Sequence, residues 1–447
     1  MSITTPSLER TMPTVLDRAS RVVGDVRSGE GLTAILFATT LFVGLFAYYV
    51  LKTVREPLIL VTGGAEVKAY ATGIQALVLM GVVPGYGALA RRLDRRRLVL
   101  GTQVFFLGSV EVFALLATLR PPYLGIVFYV WLGVYVLTSV AQLWGLANDV
   151  YQHGQGLRLF PLVALGAPLG SAAGALFASR VLVGESAIAW LMHASAFLLL
   201  VQLGLLAAVF RRPEAEAPAP PLGRESGFGL VLRSPYLRWI ALLVLLLNLV
   251  NTTGEFLLSR AVLDEASRAL ASVGAMADER AFRESFVRGA YGDFYFVVNA
   301  ASVLLQALVA SRLVRLLGMR GVLVALPLVA VVTYGLAAVG LPFVVFRALK
   351  IVENATDYSL QNTGKALLWL PTTRDEKYKA KQVVDAYFMR VGDVLSALLV
   401  LVAAQVLELS PGALSVVNAV VAVLALGVAW RVSQRYERAS AVVAVRS

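Results

Sequence analysis

Long apolar stretches recur along the chain, and short polar segments separate them. A stretch of about 20 apolar residues is long enough, as an α-helix, to cross a hydrocarbon core of about 30 Å. Twelve stretches have about this length: 32–51, 69–90, 98–119, 123–147, 159–182, 187–210, 238–260, 289–311, 321–340, 342–368, 383–407 and 412–430. We number them spans one to twelve. The pattern predicts an all-α polytopic membrane protein with twelve transmembrane helices.

A proline-rich segment divides the spans into two sets of six. Four prolines lie within residues 213–221, in a background of alanine and glutamate that is typical of a linker. We therefore predict two six-helix pseudo-repeats, an organisation typical of transporters whose binding site lies between the halves. The predicted parts are a cytosolic N-terminal tail (1–31), an N-terminal bundle (32–210), the cytosolic linker (211–237), a C-terminal bundle (238–431) and a cytosolic C-terminal tail (432–447).

The distribution of basic residues predicts the orientation. If the N-terminus is cytosolic, 26 of the 40 lysines and arginines fall on cytosolic segments. Because basic residues are enriched on the cytosolic side, we expect a multi-pass protein of the bacterial cytoplasmic membrane with both termini in the cytosol. The net charge of +12 then reflects topology, and we expect no nucleic-acid partner.

The composition excludes several classes of function. Only 15% of the residues are charged, whereas soluble domains have about 25%. The chain has no cysteine and only two histidines, which excludes disulfides, thiolate metal sites and a histidine-rich metal centre. The sequence contains no recognisable nucleophile–base constellation. We therefore expect no cofactor, no metal and no enzymatic activity.

Span ten carries a polar stripe along its whole length. The members of the stripe recur at steps of three or four residues: Arg347, Lys350, Asn354, Asp357, Gln361 and Lys365. At about 100° per residue they share one face of a helix, and Glu353 lies just beside that face. Charged side chains are costly in lipid, so the stripe predicts a water-filled path or a buried network.

Other spans carry polar residues as well. They are Tyr49, Lys52, Arg55 and Glu56 in span one, Asn148 and Asp149 in span four, and Asn248, Asn251, Thr252 and Glu255 in span seven. Span eleven begins at Asp385, and its Arg390 and Asp393 are predicted to point away from the Asp385 face. With two halves, spans one, four, seven and ten are the natural liners of a central cavity.

Each charged group also admits a structural interpretation, an ion pair that fixes helix packing. That interpretation is favoured for three groups: Arg390 with Asp393, Arg158 with Asp149, and Glu56. Substrate binding is favoured for three lysines, because a compact ammonium suits a mobile anion: Lys52, Lys350 and Lys365. Spans one and ten together carry five basic and three acidic residues of this kind, which favours an anionic substrate.

Two further patterns predict structure alone. Gly166, Gly170 and Gly174 form a small-residue ladder in span five, which predicts close packing against another helix. Residues 264–288 mix basic and acidic side chains, and we expect them to form a short amphipathic helix on the outer surface.

Motifs in both halves resemble the ATP/ADP translocase family of plastids and intracellular bacteria. They are YVLKTVRE (49–56), QLWGLAND (142–149) with RLFP (158–161), NLVNTTGE (248–255), and the stretch that begins with DYSL (357–360) and ends with RVGD (390–393). The resemblance covers about residues 45–400. It implies a major-facilitator-like fold of twelve helices.

The resemblance also implies roles for individual residues. Two lysines on which transport in the family depends match Lys52 and Lys365, which would hold phosphate oxygens. Two acidic residues of the family are not matched, because one would fall near Gly133 and the other falls at Asn251, with Glu255 one turn later. The cationic part of the pattern is kept and the acidic part is lost. A phosphorylated or anionic substrate other than ATP and ADP is therefore an open alternative.

The sequence thus predicts a monomeric secondary transporter in membrane lipid that exchanges nucleotides or related phosphorylated anions by alternating access. The expected substrate-binding residues are Lys52, Arg55, Tyr49, Asn148, Asn251, Arg347, Lys350, Asn354, Gln361 and Lys365. The expected gating or coupling residues are Asp149, Arg158, Glu255, Glu353, Asp357, Asp385, Arg390 and Asp393. Two alternatives remain open: a proton-coupled transporter of another anionic solute, and a membrane receptor or scaffold that transports nothing.

Overall fold

The computed structural model describes residues 30–90, 92–151, 153–180, 187–211, 226–273 and 278–446, and within these ranges it forms helices and turns without a β-strand. The helices are α1 (Gly31–Ala90), α2 (Arg95–Leu119), α3 (Leu124–Val150), α4 (His153–Ala164), α5 (Gly166–Arg180), α6 (Ala187–Val209), α7 (Gly227–Arg233), α8 (Pro235–Val273), α9 (Glu279–Leu305), α10 (Ser311–Ala338), α11 (Phe343–Thr356), α12 (Asn362–Leu367), α13 (Lys381–Val383), α14 (Met389–Leu401) and α15 (Pro411–Arg446). Five π-helical turns extend or connect them: Gln306–Ala310, Asp357–Gln361, Glu376–Ala380, Val384–Phe388 and Val402–Val406.

The predicted all-α fold of twelve membrane-crossing helices is confirmed. Ten helical segments of the described chain are long and apolar enough to cross a membrane. The first of them, α1, bends within its 60 residues and crosses twice. A further crossing consists of α11, the π-helical turn Asp357–Gln361 and α12. Its charged stripe lowers its hydropathy, but its length matches the other crossings.

Gly64 divides α1 into its two membrane-crossing parts. Its φ of 77° and ψ of −177° lie in a region that glycine enters at little cost and other residues rarely adopt. The predicted bounds of spans one (32–51) and two (69–90) were therefore too short, because helix continues on both sides of this glycine. Lys52 and Lys68 both lie on membrane-crossing helix. The apolar run ended at Lys52 only because polar residues line the inner face of the helix there.

The predicted amphipathic helix on the outer surface was also wrong. Helix α8 continues to Val273, and α9 begins at Glu279. The Asp278 side chain accepts hydrogen bonds from the backbone N–H groups of Arg280 and Ala281, which caps the N-terminus of α9. The mixed charges of this segment thus lie on the extended ends of two membrane-crossing helices.

The predicted domain boundaries fall partly outside the described residues. This applies to residues 1–29 of the N-terminal tail and 212–225 of the linker. The described end of the linker contains the short helix α7, which the Ser226 hydroxyl caps by accepting a hydrogen bond from the Gly229 N–H at 3.1 Å. Helix α15 continues to Arg446, so helix extends through most of the predicted C-terminal tail. The domain boundaries themselves remain a prediction.

The glycine ladder of span five packs directly on α1, as predicted. A Cβ atom at Gly166, Gly170 or Gly174 would lie 2.1–2.4 Å from a backbone carbonyl oxygen of α1. These distances leave no room for a side chain, so the two helices approach each other through their backbones. This contact anchors the first crossing, which carries Lys52, inside its bundle.

The two bundles, α1–α6 and α8–α15, meet through α5 with α9 and through α1 with α8, α9 and α14. The polar contacts between bundles whose two partners are both described lie toward the end of the molecule that carries Gly64, which we call the Gly64 end. They are Tyr295–Glu56, Lys68–Ser259, Lys68–Tyr291, Arg260–Glu66, Arg180–Asp293, Arg120–Glu284 and Arg288–Ala178. The Gly64 end is therefore held closed.

Candidate functional site

A cavity of about 260 Å³ lies between the two bundles. Its N-terminal wall consists of Tyr48, Lys52, Arg55, Lys68, Ala69, Thr72, Gln75 and Tyr129. Its C-terminal wall consists of Asn248, Asn251, Thr252, Glu255, Phe256, Tyr295, Asn354, Tyr358, Arg390 and Asp393. The structure thus brings residues of spans one, four, seven and ten together in one cavity and adds residues of spans two, eight and eleven.

Glu56, a carboxylate buried behind the N-terminal wall, forms ion pairs with two of the cations that line the cavity. Glu56 is fully buried, and its Oε2 lies 2.7 Å from the Nζ of Lys68. The Nε of Arg55 donates to Glu56 Oε1 at 3.1 Å, and the Tyr295 hydroxyl donates to the same oxygen at 2.9 Å. The guanidinium of Arg55 also lies over the ring of Tyr129. The structural role that the sequence favoured for Glu56 agrees with this arrangement.

Lys52 differs from the other cations of the cavity. Its Nζ lies 4.1 Å from the ring centre of Tyr295 and 4.9 Å from that of Tyr49. Within the described part of the chain, no carboxylate lies within ion-pair distance of this ammonium. The two aromatic faces stabilise the cation, but they leave its hydrogen-bond donors unused. An anion in the cavity would therefore find one positive charge that no protein carboxylate neutralises.

The C-terminal wall presents amides and paired charges. The Nδ2 of Asn354 donates to Glu255 Oε1 at 3.0 Å, which joins spans seven and ten. The side-chain oxygen of Asn251 is buried without a partner among the described residues. Asn251 lines the cavity, so its amide belongs to the surface that a ligand would meet.

Arg390 and Asp393 form the ion pair that the sequence favoured, at 3.0 Å. Asp393 Oδ1 also accepts hydrogen bonds from Asn248 Nδ2 at 2.6 Å and from Thr252 Oγ1 at 2.8 Å. Arg390 and Asp393 both line the cavity, whereas Asp385 does not.

Lys350 and Glu353 lie outside the cavity, in a closed cluster within the C-terminal bundle. Lys350 is fully buried, and its Nζ lies 3.1 Å from both Glu353 Oε1 and the Tyr334 hydroxyl. The Tyr334 hydroxyl is 2.8 and 2.9 Å from the two carboxylate oxygens. Glu353, which lies just beside the polar stripe of span ten, thus pairs with Lys350, and the cavity does not include Lys350.

The remaining candidates also lie away from the cavity. Arg347 donates to the carbonyl oxygen of Ala290 at 3.1 Å, Lys365 pairs with Asp357 at 3.5 Å, and Asp385 pairs with Lys381 at 2.7 Å. Gln361 is fully buried, with no partner for its amide among the described residues. Arg158 binds Glu30 through two hydrogen bonds of 2.9 and 3.1 Å. The side chains of Asn148 and Asp149 lie outside the described residues.

Sequence reasoning missed several residues of the cavity, among them Lys68 and Tyr295, which both contact Glu56. Lys68 lies one residue before the predicted start of span two, and Tyr295 lies in an apolar stretch of span eight. A positional signal for Lys68 was available, because it lies on the same helix face as Thr72 and Gln75, at steps of four and three residues. No sequence signal indicates the contact of Tyr295 with Lys52 and Glu56, which depends on how the two bundles meet.

The charges around the cavity leave a surplus of one positive charge. Lys52, Arg55, Lys68 and Arg390 face Glu255 and Asp393, and Glu56 lies just behind. In a low-dielectric surrounding this surplus produces a positive potential. The arrangement can hold a small anion between the two bundles.

Comparison with known proteins supports the fold. No family model and no curated protein matches the sequence. The structure is similar to that of the nucleoside transporter NupG, with a TM-score of 0.63 and 13% identity over 90% of this chain and 98% of that one. An auto-inhibited POT family peptide transporter gives a TM-score of 0.63 at 11% identity, with 91% and 97% covered. A bacterial homologue of the iron transporter ferroportin, in an inward-facing state, gives 0.61 at 15% identity, with 89% and 99% covered.

The chain therefore has a major-facilitator-like fold. At these identities the similarity concerns the fold alone. The resemblance to ATP/ADP translocases remains a prediction, and so do the roles of the individual site residues.

Proposed function

We propose that this protein is a secondary transporter that moves an anionic solute across the bacterial cytoplasmic membrane by alternating access. One observation carries the proposal: Lys52 faces a cavity between the two bundles and has no carboxylate partner among the described residues. An ionisable group inside the membrane is costly unless it has a function or a partner. An anionic substrate supplies the missing partner.

The closed Gly64 end fits one state of this cycle. With both termini in the cytosol, as the basic residues predict, the Gly64 end would face outward, and its closed contacts fit an inward-facing state. Reopening requires the cross-bundle contacts of Lys68 and Glu66 to separate. The positive surplus of the empty cavity opposes an occluded state, and a bound anion neutralises it. The protein would then exchange one anion for another, because each passage through the occluded state needs a bound anion.

Nucleotides or related phosphorylated anions are the proposed substrates. Lys52 would bind phosphate oxygens, Arg55 would add positive field, and the oxygen of Asn251 would accept a hydrogen bond from a base or sugar. The cavity volume of about 260 Å³ lies just below the usual range of about 300–1,000 Å³ for ligand sites. A whole nucleotide would therefore require a wider state than this one.

The test is counter-exchange in liposomes with the purified protein. Vesicles loaded with unlabelled ADP should take up labelled ADP, and Lys52→Ala should abolish uptake. Lys365→Ala should reduce uptake less, because Lys365 pairs with Asp357 outside the cavity. If Lys52→Ala takes up ADP at the rate of the original protein, the assignment of Lys52 to the binding site is contradicted. If no phosphorylated anion tested is exchanged, the proposed substrate class is contradicted.

A proton-coupled transporter of another anion is the second candidate. One observation favours it: Glu255 presents a carboxylate to the cavity, held by the amide of Asn354. The same vesicles discriminate between the two. An uncoupler should stop proton-driven uptake, whereas exchange against internal substrate should continue.

A further inference from the structure

We propose that Lys68 couples anion binding in the cavity to the opening of the Gly64 end. This proposal rests on the proposed function, since it assumes that the cavity takes an anion. Lys68 lines the cavity and also takes part in the contacts that join the bundles at the Gly64 end.

The contacts of Lys68 reach both bundles at once. Its Nζ lies 2.7 Å from Glu56 Oε2 within its own bundle. The same ammonium donates to Ser259 Oγ at 2.9 Å and to the Tyr291 hydroxyl at 3.2 Å in the other bundle. Its side chain is only 6% exposed, so these partners replace nearly all of its hydration. A buried ammonium with three donors is here fully engaged.

Gly64 produces this placement. The reversal of the chain at Gly64 returns the second half of α1 beside the first, so that Lys68 meets a carboxylate twelve residues earlier in the sequence. Glu56 has a second cation, Arg55, at hydrogen-bond distance. Glu56 therefore keeps one ion pair when Lys68 moves away. This spare pairing makes Lys68 the partner that can change contacts without leaving a buried carboxylate alone.

An anion in the cavity competes for the same ammonium. Lys52 and Lys68 line one wall, so an anion bound to Lys52 attracts Lys68 as well. When Lys68 turns toward the anion, it loses Ser259 and Tyr291, and the Gly64 end loses two of its cross-bundle hydrogen bonds. Binding of the anion and opening of the Gly64 end then share one residue, which is the requirement for coupling between a site and a gate.

The experiment measures the Gly64 end directly. The chain has no cysteine, so Thr62→Cys and Ser267→Cys, both exposed and on opposite bundles, accept spin labels without background. Their distance distribution is recorded in nanodiscs without ligand, with ADP and with inorganic phosphate. The variants are Lys68→Met, the conservative Lys68→Arg, and Arg260→Gln, which removes the Arg260–Glu66 gate contact but does not alter the cavity wall.

We expect ADP to lengthen the distance in the original protein. Lys68→Met should raise the ratio of open to closed Gly64 ends about tenfold without ligand and should no longer respond to ADP. Lys68→Arg should restore part of the response. Arg260→Gln should also raise the ratio of open to closed Gly64 ends, but it should still respond to ADP. This variant therefore distinguishes a weakened contact at the Gly64 end from a loss of coupling to anion binding.

Thermal-shift measurements on the same samples separate the possible failures. If ADP binds and Lys68→Met responds to it as the original protein or Arg260→Gln does, the coupling role of Lys68 is overturned and the proposed function stands. If neither ADP nor inorganic phosphate binds the original protein, both proposals are overturned.

Discussion

Two buried clusters of lysine, glutamate and tyrosine occupy different places in the molecule. The cluster of Glu56, Arg55, Lys68 and Tyr295, which we call the interface cluster, lies where the bundles meet and borders the cavity. The cluster of Glu353 lies inside the C-terminal bundle, and Lys350 within it is fully enclosed. Both place a lysine ammonium close to a buried carboxylate, at 2.7 Å for Lys68 and 3.1 Å for Lys350. Both add a tyrosine hydroxyl to the carboxylate.

The clusters differ in the charge that remains after pairing. In the C-terminal bundle one lysine meets one glutamate, and the cluster is neutral and complete. At the bundle interface Glu56 pairs with two cations, and the nearby Lys52 has no carboxylate partner in the part of the chain that the structure describes. Burial of a charged residue in a membrane therefore does not by itself indicate substrate contact. A surplus of charge next to open volume does.

The largest expected effect follows from disrupting the closed cluster of Lys350, Glu353 and Tyr334. Glu353→Gln leaves Lys350 as an uncompensated buried charge, which should lower the free energy of unfolding by about 3–5 kcal/mol. The measurement is thermal unfolding in detergent, compared with the original protein. In protein that remains folded, affinity for anions should be unchanged, because Lys350 and Glu353 do not line the cavity.

The double variant Lys350→Met with Glu353→Gln is the control for this prediction. It removes both charges, so it should recover most of the lost stability. Equal instability of the single and double variants would show that side-chain packing, not charge pairing, maintains the cluster. Loss of anion binding in a folded Glu353→Gln variant would return Lys350 to the list of substrate-binding residues.

A smaller effect is expected at Gly254, which makes room for the closed cluster. A Cβ atom at this position would lie 1.8 Å from the Tyr334 hydroxyl and 2.8 Å from Lys350 Nζ. Gly254→Ala must displace both groups, and it should lower the free energy of unfolding by about 1–3 kcal/mol. The matched control is Gly335→Ala in α10, where a Cβ would have no atom within 4 Å. That variant should unfold at the same temperature as the original protein or slightly higher.

The sequence predicted the fold because apolar length is a local property of the chain. The twelve spans and the glycine ladder of span five follow from residue type and spacing alone. The span ends were less accurate where charged residues occupy the inner face of a helix, as at Lys52 and Lys68. An apolar count interprets such residues as loop, although the cavity and a buried carboxylate satisfy them.

The candidate site was predicted only in part, because residues on one helix face can have different surroundings. Lys350 and Asn354 belong to the same stripe of span ten, yet Lys350 meets Tyr334 from span nine and Asn354 meets the cavity. Helix periodicity cannot distinguish these environments, since the partner lies on another helix. The π-helical turn at Asp357–Gln361 further changes the face on which Lys365 lies.

The smallest expected effect concerns Tyr295, the tyrosine of the interface cluster. Tyr295→Phe removes one hydrogen bond to Glu56, while Arg55 and Lys68 continue to pair with that carboxylate. The free energy of unfolding should fall by only about 0.5–1.5 kcal/mol. The aromatic face over Lys52 remains, so anion affinity should be nearly unchanged.

Tyr295→Leu removes that face as well, and it is the matched comparison for Tyr295→Phe. A cation–π contact contributes about 0.5–2 kcal/mol, so the leucine variant loses a contact that steadies the Lys52 ammonium at 4.1 Å. Anion affinity, measured by thermal shift with ADP, should therefore be several-fold lower in Tyr295→Leu than in Tyr295→Phe. Equal affinities would mean that the Tyr295 ring is not needed to position Lys52, and that the backbone of α1 and the Tyr49 ring suffice. A large loss of stability in Tyr295→Phe would mean that the interface cluster depends on every partner, as the closed cluster does, and the distinction between the two would disappear.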